Sequence, residues 1–376
     1  MYKILVSGLA YDNGKSGISN YIDNVVHCLC ESNQVDVVVL KKDVPFFSAR
    51  NPKAKLIILP NWTGKPAISA LWHLFVLPFT LDFSKYDFAF LPAGNRRLFC
   101  RCPIWTVTTF HDLSQFHLAA KYDRLRTFYV FNVLRRFLMK VDRICAISQS
   151  TANDIKSFYN VPDDKIFINY NGFDRGRLED KSISESQLRE RYCIRGKYLL
   201  YVARIEHPGK NHLNLIKAFQ MLPSNIQDEY CLVFAGSDWN GAAAVHEYAE
   251  NLPLKGKVHF CGFVEDKYLP AFYRHAWLYV FPSFCEGFGI PMLEAMACGI
   301  PVVCSDRTSL PEIGGDAVLT FDPDKPDEMS QIMVKVLTDS GLYDRLVQRG
   351  FRRAAGFDWY KHSERIITEY ERSRNK

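Results

Sequence analysis

FPSFCEGFGIPMLEAMACGIPVVCS, residues 281–305, reads as a strand end, a glycine-containing loop, a short helix and a second strand. After the strand LYVFPS comes a loop that holds Glu286, Gly287 and Gly289. Pro291 stands where a first helical residue would, and Gly299 where the helix would terminate. The spacing puts Glu294 in the first turn. It also leaves the N–H groups of Phe288, Gly289 and Ile290 at the positive end of the helix dipole, where they suit an anion. Gly287 and Gly289 allow a phosphate to approach the backbone closely.

The same alternation extends in both directions. KYLLYVARI, CLVFAG, KVHFCGF, LYVFPS, PVVCS and AVLTF are strand-like, with helical patterns between them. Upstream, DRGRLEDKSISESQLRER (174–191) is rich in charge and poor in apolar residues, and is the best linker candidate. Before it, VDVVVL, KLIILP, FAFLP, IWTVTTF, RICAIS and KIFINYNG alternate with longer amphipathic pieces. Both halves therefore predict α/β domains with parallel sheets. The expected division is an N-terminal domain over 1–172, a linker over 173–196 and a C-terminal domain over 197–356. In open parallel sheets ligands sit beyond the carboxyl ends of the strands, so two such domains predict an interdomain cleft lined by post-strand residues.

At the amino end, SGLAYDNGKSGIS (7–19) imitates a triphosphate loop. A P-loop needs four residues between its first glycine and Gly-Lys-Ser. Here residues 9–13 make five, so the count fails by one. The segment is still a strand, a glycine loop and a helix whose N-terminus suits an anionic group.

Composition narrows the class. The chain has 376 residues, 48% of them hydrophobic and 23% charged, as in an ordinary globular protein of two domains. A net charge of +6 over this length does not indicate nucleic-acid binding. Eleven cysteines without a signal peptide suggest a reducing, cytoplasmic setting, and their C-x-C pairs lack the spacing of zinc knuckles. No metal is expected. The greasiest stretch, residues 68–83, is interrupted by His73, Pro78 and Asp82 and falls short of a membrane span. It reads as a buried segment or as a membrane-surface contact. Residues 121–143 mix apolar and basic residues at helical spacing, as interfacial and ordinary surface helices both do.

Two carboxylates beside a phosphate site repel phosphate oxygens unless they are aimed at hydroxyl donors. That pairing suggests a nucleotide sugar, with Glu294 taking the ribose diol and Glu286 the transferred sugar. The competing reading is a helix start with favourable acidic residues, which accounts for Glu294 but leaves the glycines unused.

Glu286 and Glu294, with seven residues between them, resemble the E-x7-E signature of retaining GT-B glycosyltransferases, most closely family 4. Supporting elements stand in the family's order: Gly17-Ile18-Ser19, His111-Asp112, YVARIEHPGKNHLNLIKAF (201–219), AGSD (235–238) and CGFV (261–264). The resemblance implies a GT-B fold of two Rossmann-like domains, with the C-terminal helix at about 357–376 packing back onto the first. It implies that Arg204 and Lys210 hold the donor diphosphate and that Gly17, Gly236 and Val264 join the donor site. His111 is then catalytic beside the transferred sugar, together with Glu286, and Asp112 contacts the acceptor hydroxyl or caps a turn. Where many relatives carry a further glycine or alanine and an arginine after Gly17, this chain has Ser19 and Asn20.

The expected reaction is a retaining, metal-independent and cofactor-free hexosyl transfer from a nucleotide-diphosphate sugar, GDP-mannose before UDP-sugars. The expected acceptor is a saccharide or lipid-linked saccharide of surface polysaccharide biosynthesis, at the cytoplasmic face of the inner membrane. Asp322-Pro323-Asp324 spells a metal-binding D-x-D but lies in a proline-rich turn and reads as a surface loop. A GT-B nucleotide-sugar epimerase, a P-loop protein and a noncatalytic sugar-binding protein are the alternatives.

Overall fold

The computed structural model describes residues 1–14, 16–117, 129–252 and 256–375. The chain divides into two units, Met1–Gly172 with Asp358–Lys376, and Phe173–Phe357. In the first, β1 (Lys3–Ser7), β2 (Gln34–Leu40), β3 (Lys55–Leu59), β4 (Phe88–Leu91), β5 (Thr106–Phe110), β6 (Arg143–Ala146) and β7 (Ile166–Ile168) form one sheet. Among the described residues its order is β3-β2-β1-β4-β5-β6-β7, and neighbouring strands run parallel. Val37, Val6, Phe90 and Val107 lie side by side across it, all fully buried. A sheet covered on both faces needs such apolar rows.

The second unit contains β8 (Lys197–Val202), β9 (Tyr230–Ala235), β10 (Val258–Phe260), β11 (Leu278–Phe281), β12 (Val302–Ser305) and β13 (Val318–Phe321). Its parallel order is β10-β9-β8-β11-β12-β13. Each sheet thus reverses its strand order once, between β1 and β4 and between β8 and β11. At such a reversal the connections leave toward opposite faces, and a crevice opens at the strands' carboxyl ends.

The helix Gly17–Ser32 follows β1 and buries Ile18, Tyr21, Ile22, Val25, Val26 and Leu29 on one face, with the Ser16 side chain accepting from Ser19 N–H as its cap. The polar stretch 173–196 is not an extended linker. It carries the helices Arg175–Leu178 and Glu185–Tyr192 and belongs to the second unit. Leu178 and Leu188 are buried, and Ser184 with Gln187 forms a capping box, so a few well-placed residues outweigh the charged composition.

The helix Trp359–Arg374 returns to the first unit, capped by Asp358, which accepts from the N–H groups of Tyr360 and Lys361. Its buried Glu369 accepts Arg143, Arg365 and Arg372. All eleven cysteines are free thiols. Residues 121–128 of the basic segment lie outside the described residues; the remainder includes the helix Leu134–Leu138, which buries Leu134 and Leu138 and exposes Arg135 and Arg136. Among the described residues no helix is long and apolar enough to cross a membrane.

Among the described residues of the first unit, three histidines are buried: His73, His111 and His362. Burial disfavours their charged form and takes His73 down to about 3 and His111 and His362 down to about 4. Below the unfolded value of roughly 6.5, the unfolded chain binds protons that the folded chain refuses. Stability therefore falls as pH drops from about 6.5 toward 4, by up to about 1.4 kcal/mol per pH unit for each histidine. Thermal unfolding followed at pH 7.5 and pH 5 in matched ionic strength is expected to show a clearly lower midpoint at pH 5. Equal midpoints would contradict three neutral buried imidazoles.

Candidate active site

At the reversal of the second sheet, two loops leave neighbouring strands β8 and β11. Lys210, on the first, donates to Glu286 Oε1 on the second at 2.6 Å. The two side chains are 25% and 14% exposed, so the pair is half-sheltered yet reachable. Neighbouring bonds fix both loops. Tyr201 O–H lies 3.1 Å from the Lys210 carbonyl and 2.8 Å from Ser283 Oγ, Phe284 N–H donates to the Gly209 carbonyl, and Asn211 donates to the Pro282 and Pro323 carbonyls.

The helix after Glu286 spans Ile290–Ala297, with Gly289 as its cap at φ +102°. A side chain at Gly289 would be strained by that φ and would also come within 2.8 Å of Leu310 Cδ2. Pro291 occupies the second helical position, and Phe288 is buried. Glu294 is the helix's fifth residue, which corrects its expected place in the first turn, and it is 6% exposed. Arg177 donates to its Oε1 and Tyr273 O–H to its Oε2 at 2.8 Å. A charged carboxylate this deep needs such partners. Each oxygen keeps a second lone pair for a ligand hydroxyl.

Arg204, just past β8, is exposed and stacks its guanidinium 4.9 Å from the centre of the Trp239 ring. Residues 203–207 run beside 235–240: Ala203, Ile205 and His207 N–H groups donate to the Ala235, Ser237 and Asn240 carbonyls. Gly236 lies within that pairing. A Cβ there would stand 1.9 Å from the Ala203 carbonyl oxygen, so this glycine permits a close approach of the protein's own backbone. Val264, beyond the edge strand β10, is buried, while its neighbour Phe263 is 75% exposed. Asp322 and Asp324 both accept from Arg307.

In the first unit, His111 follows β5 and donates from Nε2 to the Pro92 carbonyl at 2.7 Å. A carbonyl only accepts, so this bond sets the tautomer, and the lowered pKa keeps the ring neutral. Its ring meets the Tyr21 ring edge-on at 4.6 Å. The Tyr21 hydroxyl lies 2.8 Å from Thr109 Oγ1 and 2.7 Å from His362 Nε2. His362 Nδ1 in turn donates to the Tyr170 carbonyl.

Asp112 accepts from the N–H and hydroxyl of Ser114, capping a turn. Burial raises its pKa, but these bonds from Ser114, with His111 and Arg96 nearby, leave it below the usual carboxylate range. Gly17 is the exposed first residue of its helix, and a Cβ there would meet nothing within 4 Å. Ser19 is buried, its hydroxyl bonding Asp12 Oδ1 at 2.5 Å, while Asn20 is exposed.

Sequence reasoning missed several supports of the site. Thr308 Oγ1 accepts from Glu286 N–H, and Ser309 Oγ donates to the Glu286 and Phe288 carbonyls. Thr308 sits at φ +53°, uncommon for a β-branched residue. The polar pair inside SDRTSLPE was the available signal. Arg177 and Tyr273 carried none, because their meeting with Glu294 depends on tertiary packing.

Two parallel-sheet units, the second with a charged pair at its strand reversal, have the architecture of a GT-B glycosyltransferase. The sequence model described as "Glycosyl transferases group 1" matches residues 189–353, and the one described as "Glycosyltransferase Family 4" matches residues 15–177. O-antigen chain mannosyltransferase B of Escherichia coli is 32% identical over 266 residues, 70% of this chain and 70% of that protein. Serotype-specific mannosyltransferase WbdA of Escherichia coli is 33% identical over 278 residues, 72% of this chain but 34% of WbdA, so the chain spans about a third of that relative's length. Among solved structures, HepE of Anabaena in complex with UDP has a TM-score of 0.75 at 17% identity, covering 99% of this chain and 100% of that one. The chain belongs to the family 4 glycosyltransferases.

Two substitutions test this geometry. Gly236→Ala forces backbone apart beside Arg204 and is expected to cost the second unit about 2 kcal/mol or more in urea unfolding. Arg177→Ala leaves Glu294 with Tyr273 alone; the loss is about 2–3 kcal/mol, the lower end for a broken buried pair because Arg177 is one quarter exposed. Arg177→Lys is expected to recover part of it.

Proposed function

We propose that the chain moves a hexosyl group, with retention of anomeric configuration, from a nucleotide-diphosphate sugar to a saccharide or lipid-linked saccharide of a surface polysaccharide. The Lys210–Glu286 pair carries this reading. A cation and a carboxylate share one half-sheltered point at a strand reversal, beside a helix start, and a diphosphate flanked by hydroxyls calls for both. On donor arrival, the Lys210 ammonium exchanges its carboxylate oxygen for a phosphate oxygen, and Glu286 turns to a sugar hydroxyl. Arg204 adds a second cation, Glu294 takes the ribose diol, and the strand end at Val264 receives the base.

The leaving diphosphate's growing charge is then met by Arg204, Lys210 and the N–H groups at the start of the Ile290–Ala297 helix, with no divalent ion needed. The acceptor hydroxyl attacks from the face the diphosphate leaves. In the first unit, neutral His111 offers its backbone carbonyl to the positive charge developing on the sugar, and Gly17 leaves the helix start open to an anionic group. The names of the mannosyltransferase relatives favour GDP-mannose as donor.

A thermal-shift screen of GDP-, UDP-, ADP- and dTDP-sugars is expected to give its largest stabilisation with GDP-mannose. Proton NMR of the product is expected to show the donor's anomeric configuration, and a chelator is expected to leave the rate unchanged. Lys210→Ala is expected to lower kcat/KM roughly 100-fold, as loss of a leaving-group donor does. An inverted product would overturn the retaining mechanism, and wild-type turnover by Lys210→Ala the role of that lysine.

A further inference from the structure

Residues 66–80 form one continuous helical rod: Pro66–Leu71, a π-helical turn over Trp72–Val76, and Leu77–Thr80. Its inward face is buried through Ser69, His73, Leu74 and Leu77. Its outward face is also apolar. Ile68, Leu71, Phe75 and Phe79 are 36%, 59%, 49% and 60% exposed, at spacings of three, four and four residues that make a single stripe. An ordinary surface helix carries polar residues in those positions. Trp62, 51% exposed, extends the stripe through its edge contact with Trp72.

The rim of this stripe is cationic. The Arg101 guanidinium lies 4.5 Å from the centre of the Phe79 ring, and Phe75 meets Phe137, over which Lys140 is placed at 5.7 Å. Lys65 and Arg136 are exposed nearby in sequence. Residues 61–80, 93–102 and 129–141 contain no aspartate or glutamate. The carboxylates that follow residues 80 and 141 in the chain are engaged: Asp82 with Ser84 and Lys85, Asp142 with the Thr106 N–H.

We propose that this stripe is a docking surface for an anionic lipid bilayer. The aromatic and aliphatic side chains enter the boundary between headgroups and acyl chains, and the cationic rim, where Arg101 and Lys140 are held by the Pro78 and Cys100 carbonyls, meets the anionic headgroups. A second copy of the chain would offer the same positive rim and be repelled. The rod is also tied to the first sheet: His73 Nδ1 donates to the Leu98 carbonyl, leaving Nε2 to accept from Ser7 Oγ at 2.7 Å. Ser7 ends β1, so the stripe is tied to the end of that strand. The surface stands whatever donor the second unit takes.

The test is flotation of the full chain with vesicles of phosphatidylcholine plus phosphatidylglycerol, against vesicles of phosphatidylcholine alone. Wild type is expected to float with the anionic vesicles and to be released as salt is raised. The triple variant Leu71→Ser/Phe75→Ser/Phe79→Ser is expected to lose binding at least about tenfold, with an unchanged thermal midpoint and unchanged donor-induced shift. Met221→Ser, which removes another exposed apolar residue, is expected to bind like wild type. Equal binding by the triple variant, no binding by wild type, or a dimer that the triple variant dissolves in place of vesicle binding would each overturn the proposal. Failure here leaves the donor-shift result untouched, so it is separable from failure of the transfer reading.

Discussion

Lys210 and Glu286 come from loops that follow two strands distant in sequence but adjacent in the sheet, and their 2.6 Å bond exists only because β8 and β11 are neighbours. A parallel sheet that reverses its order needs no special residue to create a crevice, but it does need the loops at the crevice to be held. Tyr201, Asn211 and Thr308 hold them through hydroxyl and amide bonds to backbone groups, and Ser283 bonds the Tyr201 hydroxyl. The cluster is thereby preorganised. A polar site fixed by its own backbone loses little on meeting a ligand, because the donors are already aimed.

The first unit achieves rigidity differently. His111 does not stand alone after β5; it rests on Tyr21, which is bonded to Thr109 and to His362 from the last helix of the chain. Asn169 also donates to the His362 carbonyl, and Glu369 gathers three arginines further along the same helix. The chain's return to the first unit thus does chemical as well as packing work. Without that helix, Tyr21 would lose one of its two hydroxyl partners, and His111 the ring-to-ring support beneath it.

The alternation of strands and helices was legible because buried parallel strands need continuous β-branched and aromatic runs, and VDVVVL and LYVF can be little else. The Glu286–Glu294 spacing and the glycine beside it were legible for a similar reason: local rules of loop and helix start act over a few residues. What stayed hidden was pairwise and distant. Composition made 173–196 a linker, although Leu178, Leu188 and Arg177 anchor two helices there. The resemblance placed Gly236 in the donor site, and its packing against the Ala203 carbonyl is a contact that no reading of AGSD could supply. Glu294 read as a first-turn residue, and its depth follows from the helix starting at Ile290 with Tyr273 and Arg177 closing over it.

These differences bear on how a carboxylate beside a phosphate site is tolerated. Two anionic side chains next to a dianionic group would each weaken binding unless their charge were already balanced. Glu286 is balanced by Lys210 and Glu294 by Arg177, so neither carboxylate is a bare anion before a ligand arrives. The two pairs differ in depth. Arg177 is anchored on a short helix and reaches a carboxylate that is almost wholly buried, so exchanging its partner would strand a charge in the interior. Lys210 and Glu286 are both partly open to water, where breaking one ion pair to form another costs little. The outer pair is therefore the one built to exchange partners, and the inner pair the one built to stay.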